Sequence, residues 1–254
     1  MRATYTCSLN GIELESLDHA IHIEDIHEQA KIDVSTDNRF AGGRVLTAPP
    51  RRESLEITIK FKIKTSNRHA RQLIMNDILG WATEGWLLTS LRENQRIYVY
   101  CTSFPGYGNW DRTESFEITF TAYYESAWRE ITPAVATTID TSGTADLIMR
   151  GNRVASLEAE VKNNSDTTVT TVTLAANGYS ITFSGLSMAR GDVLNLYYDE
   201  HFILCAKVGD TSVLSKRTAA SSDTVKLNPG KVNTVSYSAN AECEWTLIGR
   251  GLYL

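Results

Sequence analysis

His19, His22 and His27 fall close together and are interleaved with Asp18, Asp25 and Glu28. Imidazoles and carboxylates at short spacing are the raw material of a metal site or an acid–base pair. His27-Glu28 opens like the zinc-binding pattern H-E-x-x-H, but Lys31 stands where the second imidazole is needed. The neighbourhood also alternates as a strand does, whereas that pattern requires a helix to bring both imidazoles to one face. On a strand His19, Asp25 and His27 share one face with Ile21 and Ile23, and His22 points the other way. The cluster therefore reads as structural or interfacial.

Other chemical patterns fail on their own terms. Gly106-Tyr107-Gly108 lacks the third glycine and the following helix of a dinucleotide site. Gly185-Leu186-Ser187-Met188-Ala189 lacks the last glycine of a nucleophile elbow. No Gly-rich loop followed by Lys is present to cradle a phosphate. Carboxylates are plentiful, but the sequence does not place two of them across a cleft. Asn163-Asn164-Ser165 matches a glycosylation sequon, which has meaning only in a secreted chain. Cys7, Cys101, Cys205 and Cys243 form no C-x-x-C pair and are expected as free thiols in strands. No catalytic residue, cofactor-binding residue or metal ligand is assigned, and the chain is expected to be no enzyme.

The elements that must position any site are β-strands. The 254 residues carry a net charge of −5, with 42% hydrophobic and 22% charged residues, which suits a folded chain rather than a disordered one. The balance argues against general binding to nucleic acid or to an anionic membrane. No apolar run approaches the length of a membrane span, and the first residues show no secretory signal. From Leu55 to Ile63 the odd positions are apolar and the even ones polar, the mark of a half-buried strand. Phe116 to Tyr124 repeats the pattern, and Ile97, Val99 and Cys101 shorten it. Asn10-Gly11, between Tyr5–Leu9 and Ile12–Leu17, suits a type I′ hairpin turn. One segment has helical spacing: Asn67 to Leu79, with Ala70, Leu73, Ile74, Ile78 and Trp81 on a stripe that belongs on a sheet. After Pro133 the chain turns rich in Thr, Ser, Ala and Val, with turn signals between short strands, as in a β-sandwich. Two domains follow, residues 1–133 and 134–254. The fold class is mainly β: an N-terminal β-barrel or sandwich with one packed helix, then a C-terminal β-sandwich.

Two stretches of the first domain read as long loops. One, Ser35 to Arg52, holds Arg39, Phe40, Arg44, Arg51 and Arg52; the other, Ser103 to Arg112, holds Trp110 and Arg112. Long loops inside a compact domain are usually functional, and interfaces favour Arg and aromatic side chains. The competing reading is a self-packed surface loop.

The first half resembles the N-terminal domain of siphophage distal tail proteins. The likeness is carried by Gly42-Gly43-Arg44-Val45-Leu46, by Pro50-Arg51-Arg52 leading into Leu55 to Phe61, by the helix with Leu73, Leu79 and Trp81, and by Tyr123 to Trp128. The end of the chain, Leu227 to Ser236 and Cys243 to Tyr253, is similar to that family's closing strands. The resemblance implies a hexameric ring at the tip of a phage tail, joining tail tube to adsorption apparatus around a DNA channel. It also implies a galectin-like second domain facing outward. Partners would be further copies of the chain, the tail tube, baseplate or tail-associated proteins, and genomic DNA that passes without specific binding. No membrane insertion is implied. The protein would be made in the host cytoplasm and reside in the virion tail. No sugar site carries over, since Trp245 to Arg250 lacks the Glu, and His201-Phe202-Ile203 the Asn, of galectin-type recognition. A ring needs complementary patches on every copy. Arg39, Phe40, Arg44, Arg51, Arg52, Trp110 and Arg112 are the expected interface, with Glu24, Asp25 or Glu28 of the next copy as its counter-charges. The alternative is a carbohydrate-binding module presenting Tyr179, Tyr197, Tyr198, Tyr237 and Trp245.

Overall fold

The computed structural model describes residues 5–33, 36–40, 43–46, 51–106, 115–123 and 127–254. The chain divides into two compact units, Met1–Ala127 and Trp128–Leu254.

The first unit holds β1 (Cys7–Leu9), β2 (Ile12–Glu13), β3 (Ile21–Asp33), β4 (Thr36–Phe40), β5 (Gly43–Leu46), β6 (Arg51–Ile63), α1 (Arg68–Trp81), β7 (Glu84–Thr89), β8 (Gln95–Ser103) and β9 (Ser115–Tyr123). Its main sheet runs β2-β1-β7-β8-β9-β6-β3. Asn10 and Gly11 have φ of 52° and 81°, so the first hairpin closes through the two left-handed residues that a type I′ turn needs. Beyond Glu13 the chain leaves the expected strand for a short 3-10 turn, Leu14–Ser16, which buries Leu14. In the middle of the sheet the alternation of β6 becomes a core. Leu55, Ile57, Ile59 and Phe61 stand opposite Ala122, Phe120, Ile118 and Phe116 of β9, all buried. Each of the Leu, Ile and Phe side chains among them stabilises the unit by about 1.5–3 kcal/mol. The other face is a polar ladder, with Thr58 against Thr119 at 3.2 Å and Lys60 against Glu117 at 3.9 Å.

Helix α1 begins where the sequence places it. Asn67 keeps an extended backbone while its side-chain carbonyl accepts from the N–H of His69 and Ala70. The helix lies on the sheet: the Trp81 ring meets Phe120 edge-on at 5.8 Å and its Nε1 donates to the Ile12 carbonyl at 2.9 Å. The buried stripe is rotated from the expected one. Ile74, Met75, Ile78 and Trp81 face in together with Arg71, and Leu73 is left 52% exposed. Arg71 is tolerated there because its guanidinium donates to the Thr65 carbonyl at 2.6 Å.

The second unit holds β10 (Trp128–Glu130), β11 (Ala134–Ile148), β12 (Ala155–Asn163), β13 (Val169–Ala176), β14 (Tyr179–Met188), β15 (Val193–Tyr198), β16 (Leu204–Val208), β17 (Thr211–Ser212), β18 (Lys226–Leu227), β19 (Val232–Gly249) and β20 (Leu252–Tyr253). The sheet order is β14-β13-β19-β12-β15-β16-β17, with β11 on β19 and β18 on β12. β19 joins both layers of the sandwich. It pairs β13 through Ser236 to Ala239, then β12 through Cys243 to Gly249. Its kink is where residues 239–242 stand opposite Thr141 of β11. Tyr237 and Trp245 bring ring centroids to 4.8 Å, although residues this far apart on a straight strand sit roughly 26 Å from each other. The contact exists only because the strand folds over. Gly143 leaves room for it: a Cβ there would meet the Tyr237 hydroxyl at 2.6 Å.

Candidate functional site

Of the expected interface residues, Arg39 and Phe40 lie on β4, Arg44 on β5, and Arg51 and Arg52 open β6. Trp110 and Arg112 lie outside the described residues. Within the stretch from Ser35 to Arg52, expected to be a loop, the described residues 36–40, 43–46 and 51–52 are instead strand. β4 pairs β5 in a two-stranded ribbon within the connection from β3 to β6, with Phe40 opposite Gly43. Arg51 and Arg52 stand opposite Asp33 and Ile32. Residues 51–54 are polar on both faces, so no hydrophobic alternation announced that β6 starts before Leu55.

The three proposed counter-charges belong to β3, and each is already engaged within the chain. Glu28 takes Arg92 in a fork, with Nη2 at 3.0 Å and Nε at 3.3 Å. Glu24 pairs with Lys62 and accepts from the Ser115 hydroxyl at 2.9 Å. The Lys62 hydrogen bond holds its carboxyl below the usual glutamate range. Asp25 accepts from the Ile26 N–H at 2.9 Å and faces Nε2 of His27 at 2.9 Å. Register shifts between Ile23 and Asp25 and between Lys31 and Ile32 re-aim this strand. Ile26, rather than the residues flanking it, turns inward, so His27 is exposed on the face opposite the core. These charges and shifts suit a long strand at the open edge of the first unit's sheet.

Among the described residues no group of His, Cys, Asp and Glu is arranged to hold a metal ion. The four cysteines are free and lie on β1, β8, β16 and β19. Burial pushes the Cys7 thiol up to about 12 and the Cys243 thiol up to about 11, the reverse of what a nucleophile needs. Asn163 is fully buried, its amide donating to the carbonyls of Thr167 and Met188, both at 2.9 Å. A glycan on that nitrogen is incompatible with the folded unit.

The aromatic platform of the carbohydrate reading does not assemble. Tyr198, Tyr237 and Trp245 are core residues. Tyr179 and Tyr197 reach the surface on separate strands, with the Lys226 ammonium 4.7 Å and the Lys207 ammonium 6.0 Å from their ring centroids. A groove of about 360 Å³ runs beside Tyr197, lined also by Glu160, Asn195, Lys207 and Arg250. Beneath it lies a charge cluster that sequence reasoning missed. Buried Glu158 receives Arg250 Nε at 3.0 Å and faces buried Arg129 at 3.7 Å. Arg129 also donates to the Tyr198 carbonyl and stacks over Phe202 at 4.9 Å. Arg250 donates to the Ile131 carbonyl, and Glu130 accepts from the Gly251 N–H. Together with the pairing of β10 and β20, these bonds fasten the start of the second unit to its end. The partners are far apart in sequence, so no local spacing could reveal them.

No family model matches the chain, and no curated protein matches it in sequence. Solved structures do. Over 99% of its length it is similar to the whole chain of the SPP1 phage Dit protein, described as a paradigm of the hub adsorption apparatus in phages infecting Gram-positive hosts, with TM-score 0.65 and 12% identity. Over 97% of both chains it is similar to components of the phage P2 baseplate in its activated conformation, with TM-score 0.52 and 10% identity for the calcium form. The strontium form gives TM-score 0.50 and 11% identity, again over 97% of both chains. At these identities the likeness is one of architecture: the chain has the fold of phage tail-hub and baseplate proteins.

Proposed function

We propose that this chain is a structural subunit of a phage tail tip, and that its copies close into a ring, a hexamer, joining the tail tube to the host-adsorption apparatus around a DNA channel. The observation that carries the reading is the fold shared with the SPP1 hub protein across 99% of this chain and all of that one. Such a role requires shape and contact rather than a reactive group, consistent with the raised thiols of Cys7 and Cys243 and with Glu28 and Glu158 committed to ion pairs. The net charge of −5 also suits a conduit, because phosphate affinity comes chiefly from Lys and Arg. Tail tube and baseplate proteins would be its partners, and the virion tail its place after synthesis in the host cytoplasm.

The ring interface assigned to Arg39, Phe40, Arg44, Arg51, Arg52, Trp110 and Arg112 remains part of this proposal. Its counter-charges need revision, since Glu24, Asp25 and Glu28 are engaged at home and would have to exchange partners. Light scattering and negative-stain imaging of the purified protein test the ring, with annular particles of six copies as the expected result. Replacing Arg51 and Arg52 with Glu should leave both units folded and abolish the annuli. Unchanged rings from that double variant would remove these two arginines from the interface. Monomers of the natural sequence at every concentration would overturn self-closure.

A further inference from the structure

In the second unit the outer strands are mostly covered. The segment 214–222 lies along β14, with the Thr218 N–H on the Thr182 carbonyl at 2.9 Å and the Ser222 N–H on the Ser180 carbonyl at 2.7 Å. The short β17 closes the far side, and β18 caps one end of β12. β11 differs. Among the described residues it pairs with β19 alone, through 14 of its 15 residues. Every second residue therefore directs its N–H and C=O away from the sheet. Natural edge strands are kept from pairing by Lys, Pro or short length. β11 has no Lys, Arg or Pro, and Val135 and Ile139 stand 53% and 59% exposed on one face.

We propose that β11 is a docking edge for an extended segment of a different protein, one that alternates Val, Ile or Thr and carries Lys or Arg opposite Asp140 and Asp146. Main-chain bonds along the open edge would supply the affinity, and the residues at alternate positions the selectivity. Charge decides between occupants. Asp140 and Asp146 are the only charged residues of β11; Asp140 accepts from the Thr141 N–H and Asp146 from the Thr234 hydroxyl, both at 2.7 Å, and among the described residues neither is in an ion pair. A second copy of β11 would add two more carboxylates to the ribbon and no cation, whereas a basic strand neutralises both. The inference concerns the second unit and holds whether or not the first unit closes a ring.

The probe is a synthetic peptide as long as β11, alternating Val and Thr, with Lys set opposite Asp140 and Asp146 in antiparallel register. Amide hydrogen exchange of the full-length protein is read with and without it. Alternate amides of 134–148 should slow by about tenfold or more on saturation, and a peptide with Glu for each Lys should need several-fold higher concentration. Replacing Val135 and Ile139 with Lys, at exposed positions, should abolish the slowing without moving the melting temperature. No slowing with the Lys peptide, or equal slowing with the Glu peptide, would overturn the proposal. Edge amides protected in the protein alone and released on dilution would assign the edge to a second copy instead.

Discussion

Glu158 carries one negative charge between two guanidinium groups in a part of the second unit from which water is largely excluded. Removing that charge takes the Glu158 partner from buried Arg129, and breaking a buried pair from one side costs about 3–5 kcal/mol. Glu158→Gln should therefore lower the melting temperature of the second unit by roughly 10–20 °C, at about 4 °C per kcal/mol for a unit of this size. Calorimetry on the full chain measures it, and an unshifted transition would mean that the cluster adds nothing. Glu24 gives a gentler test. Its folded pKa lies below its unfolded one, so the Lys62 link favours the fold above the ordinary glutamate range and fades as pH falls through the lowered value. In Lys62→Met, an NMR titration should find the Glu24 carboxyl moved up toward an ordinary glutamate, with the remaining carboxylates little changed.

At the scale of elements, Asn67 closes the first turn of α1 by accepting from two backbone N–H groups. Asn67→Ala should destabilise the first unit by about 1 kcal/mol, read as a melting shift of a few degrees. A loss too small to measure would mean that the packing of Trp81 and Ile78 fixes the helix by itself. Local rules of this kind are why much of the fold was legible. The cap, the alternation of β6 and β9, and the Asn10-Gly11 turn each act over a few residues and leave a pattern in order. Long-range pairing leaves none. The Glu28–Arg92 fork, the Arg129–Glu158–Arg250 cluster and the ribbon formed by β4 and β5 depend on which strands meet. The register shifts in β3 changed which face its histidines occupy, something alternation cannot anticipate. Arg71 took a place on the buried stripe because a carbonyl happened to be in reach.

For the whole molecule, the question is where one folded unit ends and the next begins. Composition shifts after Pro133, but Trp128 and Arg129 stand opposite Tyr253 and Leu252, and Arg129 reaches Glu158. We expect residues 128–254 expressed alone to melt cooperatively. A fragment of 134–254 loses β10 and the buried cation, and should melt at least several degrees lower. Equal melting of the two fragments would place the divide at Pro133 instead.

The antiparallel match of β10 with β20 has an evolutionary corollary. The second unit begins at β10 and its last strand, β20, returns to lie beside that beginning, so an exchange of everything from Trp128 onward carries both members of this pairing together.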